Sequence, residues 1–244
     1  MFTRSAALAA VTCALALALT GCSNDSDPAT EPAADGKASA STSPSPSPSE
    51  APEGRLLTAA EAKAALPAVT DLPGSGWQAT PIPPDSGESK VEPASCARLW
   101  SETATDHSGY KPKIAAVEST GYGTEATGFT EVFFEVASWT NAADSGLPIE
   151  ASSAVDECAS FTVTDDESTD RMTARKLTPL ALGEKQAAIQ MSFTVEGTPV
   201  YLTWCQFAVG HNLISVAHGS TAAGDPQKTL EPAIRGILTD LEKA

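Results

Sequence analysis

The chain has 244 residues, with 31 acidic against 15 basic side chains and a formal net charge of −16 at pH 7. Its hydrophobic residues, 41% of the total, are enough for a substantial core. The acidic excess excludes nucleic-acid binding, which needs clustered cations to neutralise phosphates, and direct adhesion to anionic lipid.

Residues 1–21 have three zones: a positive start at Arg4, an uncharged Ala-, Leu- and Val-rich run from Ser5 to Thr20, and a small-residue end. Such a segment is too short to span a bilayer comfortably and has the form of a secretory signal. The order Leu19-Thr20-Gly21-Cys22 is the lipobox pattern of bacterial lipoproteins. Cleavage before Cys22 and lipidation of its sulfur are therefore expected, with two acyl chains giving stable anchoring at about 0.8 kcal/mol per buried CH₂. Cys13 lies inside the removed segment.

Residues 23–54 contain no Val, Ile, Leu, Met or aromatic side chain, and their centre is the repeat Ser43-Pro44-Ser45-Pro46-Ser47-Pro48-Ser49. A stretch like this cannot bury enough apolar surface to offset its ordering entropy. With the anchor it is expected to form a spacer over 22–54, extended by polyproline II stretches. Residues 55–244 then have the size of one ordinary domain.

Thr58 predicts an N-cap for a short helix through Ala65, ended by Pro67. Residues 71–95, rich in Pro, Gly and Ser, read as loop. Lys113 to Ser119 reads as a strand, and Phe129 to Trp139 as a firmer one, because Val132, Phe134 and Val136 alternate with Glu131, Phe133 and Glu135. Between them, Gly121 and Gly123 read as a turn, since neither the third Gly nor the following helix of a phosphate cradle is present. Glu150 to Ser160 suits a helix carrying Cys158 on its last turn. Arg171, Arg175 and Lys176 form the one basic cluster, and the acidic run Asp165-Asp166-Glu167 is expected to screen it.

Period-two alternation is cleanest over residues 189–195. A turn at Glu196-Gly197-Thr198-Pro199 leads to a strand from Val200 to Ala208, and Gly210-His211-Asn212 to another from Leu213 to Ala217. Short turns between consecutive strands predict an antiparallel meander. Leu230, Ile234, Ile237, Leu238 and Leu241 then make one apolar stripe on a C-terminal helix. Antiparallel sheet with helices packed on it predicts an α+β domain.

Beyond the anchor, the exported part holds Cys96, Cys158 and Cys205. An oxidising compartment implies one disulfide and one leftover thiol, and spacing alone permits all three pairings. Several short motifs are familiar together: Leu56-Leu57-Thr58 at the domain start, Ser95-Cys96-Ala97 before Trp100, and Asp156-Glu157-Cys158-Ala159 running into Phe161-Thr162-Val163-Thr164. Trp204-Cys205-Gln206 follows, then Asn212 and a C-terminal helix. With these the chain resembles the extracellular sensor domain of actinobacterial lipoproteins and of mycobacterial PknH-type kinases, over most of 55–244. The resemblance implies an antiparallel sheet with helices against it, a cleft for a ligand, and two disulfides, the first joining the positions of Cys96 and Cys158. The sequence departs from that pattern at the second bridge, where Ala217-His218-Gly219 stands in place of a partner for Cys205. Cys205 is then expected to be a buried, unpaired thiol.

No kinase motif accompanies the resemblance. There is no Gly-x-Ser-x-Gly elbow and no His-Glu-x-x-His pair. The run from Asp165 to Asp170 lacks the alternating ligands and central Gly of a known calcium loop. Of His107, His211 and His218, the last two are seven residues apart, so on a continuous strand they face opposite sides and could not share a metal, and neither metal nor cofactor is expected. Phe129, Phe133 and Trp139, on the Glu131/Glu135 side of their strand, are the ligand-contact candidates if no helix covers them. The function expected is a non-enzymatic sensor or ligand-binding lipoprotein on the extracytoplasmic face of the cell membrane, taking an unknown small ligand or cell-wall component. The alternatives are a carrier of an apolar molecule across the wall and a cell-wall hydrolase with an unrecognised site.

Overall fold

The computed structural model describes residues 54–82, 89–103, 108–125, 130–165 and 168–243, all within the compact unit Pro46–Ala244. Cys22 and the rest of the signal and tether expectations lie outside the described residues.

Nine antiparallel strands form one sheet: β1 (Gln78–Ala79), β2 (Lys90–Glu92), β3 (Ile114–Thr124), β4 (Thr130–Trp139), β5 (Ser160–Thr164), β6 (Thr169–Lys176), β7 (Lys185–Val195), β8 (Thr198–Val209) and β9 (Asn212–Ser220). Their order across the sheet is β1-β3-β4-β9-β8-β7-β6-β5-β2. Among the described residues four α-helices accompany them: α1 (Ala59–Ala64), α2 (Ala97–Thr103), α3 (Leu147–Ala151) and α4 (Gln227–Lys243). The fold is thus a mostly antiparallel sheet with few helices, one of them at the C-terminus.

The hairpin between β7 and β8 turns on two residues, Glu196 (φ 49°) and Gly197 (φ 83°), both left-handed as the twist of paired strands requires. Pro199, expected in that turn, instead lies in β8 opposite Thr194. It is tolerated because β9 reaches only to Tyr201, so no neighbour asks Pro199 for an N–H.

One face of the sheet carries α1 and α4. On β4 the even-numbered Val132, Phe134 and Val136 point there, joined by Cys205 and Phe207 of β8 and Ile214 and Val216 of β9. Leu230, Ile234, Ile237 and Leu241 of α4 close over them. Gln227 docks the start of α4, its Nε2 donating to Thr178 O at 3.1 Å while its Oε1 accepts from Leu180 N at 3.2 Å. A reciprocal cap sets α1: the Thr58 hydroxyl accepts from Glu61 N and the Glu61 carboxylate from Thr58 N. Arg55 reinforces it, and its hydrogen bond to Glu61 pulls that carboxyl down to about 2.

The opposite face is covered in pieces. At the β5–β7 end Leu99 of α2, Val155, Phe161, Met172, Ile189 and Met191 pack around the disulfide Cys96–Cys158. At the other end Ala137, Trp139, Ile149, Ala208 and Leu213 pack with Tyr110 and Ile114.

Several expectations are corrected. The stretch 71–95 holds two edge strands, β1 and β2, too short to show alternation. Glu150 to Ser160 is not one helix: α3 starts earlier, with Pro148 in its first turn, and gives way to a 3-10 turn over Ser152–Asp156. The Ser152 and Ser153 hydroxyls bond back to Pro148 O and Glu150 O, which competes with a regular helix. Gly121 and Gly123 are interior positions of β3, not a turn. The basic cluster lies on β6, where Arg175 bonds Gln190 Oε1, Lys176 bonds Asp156 and Arg171 bonds Ser160, while Asp166 and Glu167 of the acidic run lie outside the described residues.

Candidate functional site

Strand register fixes which side chains share the face away from α1 and α4. One row across the sheet reads Gly123, Glu131, Gly219, Leu202, Met191, and the next Gly121, Phe133, Ala217, Trp204, Ile189. A third reads Ser119, Glu135, Ser215, Gln206, Ala187. β3 and β9 therefore supply small residues, which leaves low ground on either side of β4.

Low ground over β3 opens into a cleft of about 520 Å³ at the β1 edge. Its lining includes Gln78, Thr80, Gly123, Thr124, Thr130 and Glu131. Glu131 lies along Gly123, its Cγ 3.7 Å from where a Cβ on that glycine would stand. Partial burial raises the Glu131 carboxyl above the usual carboxylate range. Hydroxyls, a carboxamide and carboxylates thus converge on an open space, and among the described residues no Lys or Arg lines it.

The candidate aromatics divide. Phe129 lies outside the described residues. Phe133 is half-buried, its ring over Gly121, where a Cβ would come within 2.7 Å of Cδ1 and Cε1. That glycine exists to admit the ring, a cross-strand pairing in which an aromatic covers a bare backbone. Trp139 is not a ligand contact: it is fully buried with Tyr110 edge-on at 5.3 Å. Its strand position is the one expected, but the turn Ser108–Lys113 brings Tyr110 over it.

Past Phe133 the same face sinks into a buried polar band. Glu135, Ser215 and Gln206 stand in register, and Ser152 donates to Gln206 Oε1 at 3.3 Å. Sequence pattern marked Glu135 but not Ser215, Gln206, Gln78 or Thr80, because a two-residue strand and isolated polar residues leave no periodic trace.

The cysteines pair as the resemblance implies: Cys96 and Cys158 are bonded, and Cys205 is free and buried. Burial, with Asp225 adding to it, pushes the Cys205 thiol far up, so it is no thiolate at neutral pH. His211 sits in the turn after β8 with Nδ1 2.7 Å from Trp139 O, and His107 lies outside the described residues. His218 is partly buried on the α4 side of the sheet, and the desolvation holds it down to about 4. Among the described residues no group of three or more His, Cys, Asp or Glu could hold a metal ion. Among the same residues no helix is long and apolar enough to cross a membrane.

No family model matches the chain, and no curated protein does. Among solved structures, the extracellular domain of PknH from Mycobacterium tuberculosis superposes with a TM-score of 0.61 at 14% identity, over 78% of this chain and all of that one. An uncharacterized protein from Mycobacterium smegmatis gives a TM-score of 0.38 at 12% identity, over 66% of this chain and 80% of that one. The chain shares the fold of the PknH extracellular domain.

Proposed function

We infer that this chain is a lipid-anchored extracytoplasmic sensor domain, non-enzymatic, that binds a small hydrophilic ligand in the cleft beside Glu131. The observation that carries the reading is the cleft itself: open, polar and at a sheet edge, it suits sampling of a solute, whereas a carrier of apolar cargo would enclose an apolar pocket. Its carboxylates and hydroxyls fit a neutral or cationic polyhydroxylated or amine-bearing molecule, and they disfavour an anion. The shared fold with a kinase's extracellular domain supports the non-catalytic reading. So does the state of Cys205 and His218, a buried thiol and a partly buried neutral imidazole that lie on the other face of the sheet from the Glu131 side chain.

The test is saturation-transfer NMR on the full chain with two probes that differ in charge, glucosamine and N-acetylglucosamine. A signal from at least one is expected, and it should be lost in Glu131→Ala and in Thr80→Tyr, which fills the cleft. Silence from both probes, or a signal that survives both substitutions, would overturn the site. The anchor is tested separately: Cys22→Ala should leave the chain unprocessed or release it from membranes, and mature variant protein still fractionating with membranes would contradict lipidation.

A further inference from the structure

β3 is eleven residues long, and the two-residue β1 covers only its last part. Pairing runs Gln78 to Gly123 and Ala79 to Tyr122, and ends with Thr80 N donating to Gly121 O at 2.9 Å. From Ala116 to Thr120 no described strand lies outside β3.

The last bond also fixes the phase of the free edge. In an antiparallel strand the N–H and C=O of one residue point the same way and alternate with the next. Since Gly121 points outward, so do Ser119 and Val117. Val117 is 43% exposed and Ser119 is exposed too. The edge carries none of the Lys or Pro residues that normally keep such rows from pairing.

We propose that this edge pairs with the same edge of a second copy, β3 against β3 about a two-fold axis through Val117, so that one sheet runs through both molecules. Self-pairing has few registers to choose from, and charge and space leave one. Centring on Glu118 would set two carboxylates opposite each other, in a chain already at −16. Centring on Ser119 would bring the partner's Val117 to Gly121, which Thr80 occupies. Centring on Val117 sets Val117 opposite Val117 and Glu118 opposite Ala116, with the register shift between Ile114 and Ala116 closing the ladder. A two-fold edge contact is self-complementary and closed, so it stops at a dimer. The ladder is short, hence weak between free molecules, and confinement of chains to one surface would raise their effective concentration.

Cysteine cross-linking of the full chain tests the register. In a hydrogen-bonded antiparallel pair the two Val117 Cα atoms would stand about 5.5 Å apart, within disulfide reach. The two Ser119 Cα atoms would be offset by four residues, about 13 Å, well outside it. Under mild oxidation Val117→Cys should form a linked dimer about tenfold faster than Ser119→Cys, and faster than Val195→Cys, an equally exposed position on the β7 turn. Equal rates for the three variants would mean random collision and would overturn the proposal. Sedimentation of the unmodified chain at rising concentration should show a dimer that Val117→Lys abolishes, and a chain that stays monomeric throughout would also overturn it. Neither readout involves the cleft, so the ligand reading stands or falls separately.

Discussion

On β4, Val132, Phe134 and Val136 meet one 17-residue helix and a short capped one, while Ala137 and Trp139 on the other face pack with Ile149 of the five-residue α3 and with Tyr110 of a short turn. The first face is a continuous apolar layer that a single amphipathic element can seal. The second is broken by Glu135, Ser215 and Gln206 into two separate clusters, and one of these is cross-linked. Continuous apolar surface holds a long helix by area alone, at about 25 cal/mol per Å² buried. Fragmented surface needs a covalent tie to keep helices of five to seven residues in place. The interrupted face is also the one left open enough to carry a cleft.

Neighbours on β8 test this contrast most directly, since Phe207 faces α4 and Gln206 faces the polar band. Phe207→Ala removes a fully buried ring and should cost about 4 kcal/mol in urea unfolding. Gln206→Leu keeps the volume and removes one hydrogen bond, so about 1 kcal/mol is expected. Equal losses at the two positions would show that the faces do not differ in kind.

The disulfide sharpens the comparison by acting on one face only. Cys96 and Cys158 are 62 residues apart, and opening that loop by the double change to Ala should cost about 4 kcal/mol on the chain-entropy model. Hydrogen exchange should show the loss first in α2, β5 and β6. Protection in β4, β9 and α4 should persist under conditions where those elements already exchange. Uniform loss across the sheet would mean that the two faces unfold as one unit.

The same contrast explains what sequence could reveal. The stripe from Leu230 to Leu241 was legible because each side chain of the repeat meets the same continuous layer, and the alternation of residues 189–195 because Ile189, Met191 and Phe193 all meet the cluster around the disulfide on the other face. Trp139 was assigned to the right side of β4, yet whether that side was covered depended on Tyr110, which chain topology brings there from outside any repeat. Gly121 and Gly123 read as a turn because glycine usually serves one, and only the Phe133 ring opposite explains a glycine inside a strand. Of the cleft, Glu131 was visible on its strand, while Gln78 and Thr80 come from an edge that is held by two residue pairs and one further hydrogen bond. The Cys96–Cys158 pairing came through resemblance, since spacing alone allowed three.

The α4 face should also show itself through pH. His218 pairs in register with Val132 and Thr203 on that face, and burial holds it down to about 4 against 6.5 in an unfolded chain. Between those values the unfolded state binds a proton that the folded state refuses, so stability rises with pH across the window. The contribution is fully present above about 6.5 and is lost as pH falls towards 4, at most about 3 kcal/mol from the size of the shift. Carboxylates titrate over part of the same range, so the quantity to measure is the difference between wild type and His218→Gln, which stays neutral throughout. That difference should shrink steadily between pH 6.5 and 4. A constant difference would mean that water reaches His218, and that the face under α4 is not sealed at its β9 end.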